Sequence, residues 1–178
     1  MADPRNKLPF ERLAFLLVED NTHMRSLIKG ILIALGAHSI KECSDGADAL
    51  KLLRDFTPDI IICDWMMEPL DGIQFTRLVR QASDSHNPYV PIILLTGHTE
   101  VARIREARDT GVNEILAKPV SVQGLMLRIQ AIIERPRPYI RCSTYFGPDR
   151  RRKDQDYKGE RRVSNPIPQA PVNAGEDS

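Results

Sequence analysis

With 178 residues, 42% hydrophobic and 28% charged, and a net charge of +1, the chain has the makeup of a water-soluble protein with one well-buried core. No apolar run nears the ~18 residues of a membrane span and the opening MADPRNKLPFER has no signal-peptide core, so no membrane association and a cytoplasmic location are expected. The three scattered cysteines, Cys43, Cys63 and Cys142, make no disulfide framework, and without CxxC, HExxH or a His/Cys cluster no transition-metal site is expected.

After a lead of residues 1–12, five short apolar runs recur: LAFLLV at 13–18, SIKEC at 39–43, IIIC at 60–63, IILL at 92–95 and EILA at 114–117. The first, third and fourth are apolar throughout, as strands covered on both faces must be, while SIKEC and EILA suit the edges of a sheet. Helical periodicity fills the intervals. NTHMRSLIKGILIALG carries Met24, Leu27, Ile28, Ile31, Leu32 and Leu35 on one stripe and stops at Gly36. GADALKLLRDF turns Ala49, Leu50 and Leu53 inward, and GIQFTRLVRQA follows the third run. EVARIREARDTG has only the thin stripe Val101, Ile104 and Ala107. SVQGLMLRIQAIIER has Ser121 as N-cap and stripes Val122, Leu125, Ile129 and Ile132. Strand and helix alternate five times, which predicts an α/β domain over 13–135, a parallel sheet with helices on both faces.

The stretch DIIICDWMMEPLDG, 59–72, places a carboxylate at the end of a segment built for burial. In a doubly wound fold, ligands bind outside the carboxyl ends of the strands. Glu19 and Asp20 follow the first run, Asp64 the third, Thr96 and Gly97 the fourth, and Lys118 with Pro119 the fifth. Three carboxylates at one edge repel one another unless a cation sits among them, and hard oxygen ligands suit Mg²⁺. A carboxylate there is a nucleophile for a phosphoryl group, whose oxygens a lysine, a hydroxyl and the metal can stabilise. The set suits making and breaking an aspartyl phosphate.

LLVEDN, IIICDWMMEPLDG, IILLTGH and EILAKPV, in this order and spacing, resemble the receiver domain of two-component response regulators, over roughly Ala14 to Arg135. The resemblance implies a flavodoxin-like doubly wound five-stranded sheet of order 2-1-3-4-5. It implies that Asp64 is the phosphoacceptor, supplied by a histidine kinase or histidine phosphotransfer protein. Glu19, Asp20, Asp64 and the Met66 backbone carbonyl would hold Mg²⁺, Thr96 and Lys118 would meet the phosphoryl group, and the Lys118–Pro119 bond would be cis. Met66 and His98 stand where the family tunes phosphate lifetime. A thioether cannot hydrogen-bond an attacking water, so slow self-dephosphorylation is expected. Glu68 stands where a proline is usual, with Pro69 one place later, and Ile115 replaces the aromatic ring of the family's switch position. Trp65 is expected to pack partly exposed beside the site, and Cys63 to be a small core residue.

Composition shifts near Arg135. Residues 1–135 hold 16 Lys/Arg against 18 Asp/Glu, whereas 136–178 hold 9 against 6 and 6 of the 13 prolines. The tail is too short for a winged-helix domain and is expected to be extended or disordered. It interleaves Tyr145 and Phe146 with Arg150, Arg151, Arg152 and Lys153, a set suited to docking on another protein or on the receiver's own surface. The reading is therefore a stand-alone response regulator whose phosphorylated form binds a protein target, not an enzyme with a substrate of its own. An alternative has the basic tail bind nucleic acid, a less favoured partner. A more remote one, a haloacid-dehalogenase-like phosphatase, needs a second acid two residues after the nucleophile, where Met66 stands.

Overall fold

The computed structural model describes residues 9–83, 85–97 and 100–150. A short 3-10 turn, Phe10–Arg12, leads into β1 (Ala14–Val18). There follow α1 (Thr22–Ala34), β2 (Ser39–Cys43), α2 (Gly46–Leu52), β3 (Ile60–Asp64), α3 (Gly72–Gln81) and β4 (Ile92–Thr96). Next come α4 (Val101–Thr110), β5 (Glu114–Ala117), α5 (Val122–Glu134) and two further strands, β6 (Tyr139–Cys142) and β7 (Tyr145–Pro148).

The first five strands form one parallel sheet of order 2-1-3-4-5, as expected. Its centre is buried on both faces because every residue of β3 and β4 is apolar until the last, while the edge strands β2 and β5 are partly exposed. Alternation along β1 divides the core. Phe15 and Leu17 pack with Ile28 and Leu32 of α1 and Leu125 and Ile129 of α5. Leu16 and Val18 pack with Ala49 of α2, Ile73, Phe75 and Val79 of α3 and Ala107 of α4.

Local sequence sets the helix ends. Asn21, Asp45, Asp71 and Ser121 each accept a backbone N–H at the start of α1, α2, α3 and α5, and Gly36 follows α1 at φ +104°. α4 alone among these described helices starts without a side-chain cap, and it buries only Ala107 and Thr110.

Over 136–150 the chain departs from the expectation of an extended or disordered tail, whose remainder, 151–178, lies outside the described residues. β6 and β7 pair antiparallel through a two-residue Ser143–Thr144 turn, and the hairpin folds back on the receiver. Tyr139, Tyr145 and Phe146 are all buried. Tyr139 and Phe146 pack on Tyr89, at ring-centroid distances of 5.4 and 5.2 Å. Beneath them the Arg80 guanidinium is fully buried, donating to the carbonyls of Gly111 (3.0 Å) and Pro88 (2.8 Å) and to Asn113 Oδ1 (3.1 Å), with the Tyr139 ring over it.

Candidate functional site

Parallel pairing in register brings the carboxyl ends of the strands to one edge: Val18 faces Cys63, Asp64 faces Leu95, and Thr96 faces Ala117. Glu19 follows β1 directly, Asp64 closes β3, Thr96 closes β4, and Lys118 follows β5, its N–H donating to the Thr96 carbonyl at 2.8 Å. The Lys118–Pro119 bond is cis, as expected, and Glu68–Pro69 is cis as well. The loop after β3 is tight: a Cβ on Gly72 would lie 2.2 Å from the Asp64 carbonyl oxygen.

Glu19, Asp20 and Asp64 each bring a carboxylate oxygen within 4.8 Å of the others. Glu19 and Asp64 are buried and Asp20 is exposed. The Lys118 ammonium bridges the two buried groups, 2.8 Å from Asp64 Oδ1 and 3.0 Å from Glu19 Oε2. Backbone N–H groups complete the shell, Trp65 donating to Asp64 Oδ1 at 2.8 Å and Asn21 to Glu19 Oε1 at 3.2 Å. Burial opposes the lysine's charge, but its hydrogen bonds to Asp64 and Glu19 outweigh that and raise its pKa. Burial also lifts the Glu19 carboxyl above its ordinary range, and the neighbouring Asp64 charge adds to this against the pull of Lys118. Three carboxylates facing one ammonium leave a hard, net-negative oxygen set, which suits a divalent ion such as Mg²⁺.

That imbalance has a sign. An acid whose folded-state pKa is raised contributes its stability below its ordinary value, 4.5 for Glu19, and loses it as pH rises through the raised value. Glu19→Gln is therefore expected to resist urea better than wild type at pH 7 without divalent ions, by up to about 1 kcal/mol. The advantage should shrink toward pH 4.5, and Mg²⁺ affinity should fall roughly tenfold or more. Equal urea midpoints at both pH values would rule this out.

The remaining expected positions divide. Met66 is exposed at the rim, and Ile115 is half-buried against the cluster under α2, α3 and α4. Trp65 is buried, at 3% exposure, rather than partly exposed, and the Arg103 guanidinium of α4 lies 5.9 Å from its ring centroid. Cys63 is a core residue whose thiol burial pushes well up. His98 lies outside the described residues, as do Arg151, Arg152 and Lys153. Tyr145 and Phe146 are packed on this chain's own receiver, and Arg150 is engaged by Asp109 at 2.7 Å and stacked over Tyr145. The sequence reading missed Arg80 and Asn113, which hold the hairpin; the available signal was Tyr139 on one side of Ser143–Thr144 and the aromatic pair Tyr145–Phe146 on the other.

The response regulator receiver domain model matches residues 15–130. The chain belongs to the response regulator receiver family. Chemotaxis protein CheY of Pseudomonas aeruginosa is 34% identical over 123 residues, covering 69% of this chain and 98% of its own. Chemotaxis protein CheY-3 of Vibrio cholerae is 30% identical over 125 residues, 70% of this chain and 95% of its own. Among solved structures, the receiver domain of a sensor histidine kinase from Pseudomonas aeruginosa, with a magnesium ion coordinated in its active site cleft, is similar at 30% identity and a TM-score of 0.61. The match covers 68% of this chain and 98% of that one. A response regulator from Chloroflexus aurantiacus matches with a TM-score of 0.63 at 27% identity, over 69% and 98% of the two chains. As a receiver domain the chain is a component of two-component phosphorelay signalling. No helix among the described residues is long and apolar enough to cross a membrane.

Proposed function

We propose that Asp64 is the phosphoacceptor of this receiver and that a histidine kinase or histidine phosphotransfer protein is its donor. The observation that carries the reading is the Lys118 ammonium bridging the buried carboxylates of Asp64 and Glu19, with Thr96 closing the adjacent strand. The Trp65 N–H and the Lys118 ammonium both fall on Asp64 Oδ1, so Oδ2 is the attacking oxygen. It bonds to phosphorus as the P–N bond to the donor imidazole breaks, and the imidazole leaves with that electron pair. Lys118 and the Thr96 hydroxyl serve the phosphoryl oxygens. Glu19, Asp20, Asp64 and the Met66 carbonyl hold Mg²⁺, which when bound neutralises charge on the transferring group. Met66 lends no hydrogen bond to an attacking water, so the phosphate persists well beyond seconds. The transfer is self-catalysed, and the output is binding of a protein target in the cytoplasm, in keeping with three free cysteines.

Trp65, the one tryptophan of the chain, reports on this directly, because its N–H bonds Asp64. Its fluorescence is expected to shift on adding Mg²⁺ and again on adding beryllofluoride, a phosphoryl mimic. A silent Trp65 with both ligands, in a protein that also takes no phosphoryl group from acetyl phosphate, would sink the assignment.

A further inference from the structure

The hairpin grips the C-terminal end of α4, a helix that is otherwise thinly packed on the domain. α4 begins five residues after Thr96, carries no side-chain cap, and buries only Ala107 and Thr110. Its far end, by contrast, is gripped. Arg150 Nη1 bonds Asp109 Oδ1 at 2.7 Å while stacking over the Tyr145 ring at 4.5 Å. Tyr145 is fixed in turn by its hydroxyl, which donates to the Pro148 carbonyl at 2.7 Å. At the C-terminal cap of α4, Gly111 has φ +103°, and a Cβ there would stand 2.8 Å from the Phe146 carbonyl oxygen. A Cβ on Gly147 would stand 2.8 Å from the Gly111 Cα, so the two backbones are in contact with nothing between them. Arg80 ties the same place to α3 through the Gly111 carbonyl, and Arg137 reaches the Asn113 carbonyl beside it.

We infer that the β6–β7 hairpin is a clamp on α4, docked when Asp64 is paired with Lys118 and loosened when a phosphoryl group occupies Asp64. The inference rests on the phosphoacceptor assignment above. A ten-residue helix is a rod of about 15 Å. Thr96 drawn toward a phosphoryl group on Asp64 pulls on the near end of a rod with little packing to resist it. The far end, at Asp109 and Gly111, then has to move against a contact that has no slack. Close-packed interfaces respond to such a demand by switching between arrangements rather than by stretching. With Ile115 in place of an aromatic ring, this chain carries its change of state through the α4 backbone and the hairpin. Release would uncover the Tyr89, Tyr139 and Phe146 rings as a new apolar surface and free Arg150 from Asp109.

Coupling of this kind is reciprocal: if the mimic loosens the hairpin, weakening the hairpin must tighten the mimic, by up to the same factor when the hairpin is fully undocked. In the full chain with Mg²⁺, amide hydrogen exchange across 139–148 is expected to rise roughly five- to tenfold on adding beryllofluoride, a typical coupling factor. Arg150→Ala cuts the Asp109 pair and the stacking on Tyr145 while leaving every buried side chain of the hairpin in place, and should bind beryllofluoride more tightly, read from Trp65 fluorescence. Gly147→Ala, which forces the backbones apart, should tighten it further. If Trp65 reports beryllofluoride binding in wild type while hairpin exchange and both variants' affinities stay unchanged, the clamp is overturned and the phosphoacceptor assignment stands. If wild-type Trp65 does not respond to beryllofluoride at all, the assignment fails and the clamp with it.

Discussion

Asp64→Asn should take up no phosphoryl group from acetyl phosphate under conditions where the wild-type chain gains one by mass, while its fold survives intact. The substitution keeps the shape of the side chain and an oxygen to accept the Trp65 N–H at Oδ1. It removes the nucleophile, since an amide oxygen attacks phosphorus far more weakly than a carboxylate. It also removes one charge from the acidic set, so Mg²⁺ should bind at least about tenfold more weakly. Stability should change little, because Lys118 retains Glu19 as a partner and that buried glutamate loses a repelling neighbour. Mass spectrometry and a urea titration settle both halves. A phosphoryl group still gained by the variant would move the acceptor elsewhere, and a collapse in stability would mean that Asp64 is chiefly structural.

The positions of Asp64, Thr96 and Lys118 were legible in the sequence because parallel topology leaves no choice. Apolar runs buried on both faces must lie side by side, and the residues that end them must then share an edge. The bridging of Glu19 by Lys118 was less legible, since it depends on the direction of a long side chain across 99 residues of separation. Trp65 shows another limit. Its burial depends on α4, whose Arg103 stacks near the ring, and nothing in DIIICDWMMEPLDG encodes that neighbour. Arg80 is the sharpest case. In GIQFTRLVRQ it reads as a polar residue on a solvent-facing position, yet it is buried among Pro88, Gly111 and Asn113 and roofed by Tyr139, some sixty residues later in the chain. The composition change near Arg135 is genuine, but the folded unit continues past it. Prolines and arginines mark the flanks of the hairpin while its tyrosines and phenylalanine do the packing.

That difference has a measurable consequence. A chain shortened after Arg135 keeps all five parallel strands and every proposed site residue, yet it should unfold at markedly lower urea than one ending at Arg150. The loss should be on the order of 3–5 kcal/mol, the scale for deleting a large buried aromatic side chain, since Tyr139, Tyr145 and Phe146 all go. Burial already pulls the Arg80 guanidinium's pKa down. What offsets the cost is a shell of three acceptors within the receiver and an aromatic roof that the hairpin supplies. Asn113 Oδ1, which accepts from Arg80, also accepts from Tyr139 at 3.2 Å and from the Ile92 N–H at 3.0 Å. Without Tyr139 the roof is gone, Tyr89 loses both of its ring contacts, and Glu114 loses Arg137. Arg80→Met in the full chain separates the two contributions. If the buried charge is what makes the hairpin indispensable, shortening the chain in the Arg80→Met background should cost clearly less than shortening wild type, a coupling that a double-mutant cycle reads out. Equal costs in the two backgrounds would assign the hairpin's contribution to aromatic packing alone. No cost in either would return the edge of the folded unit to Arg135.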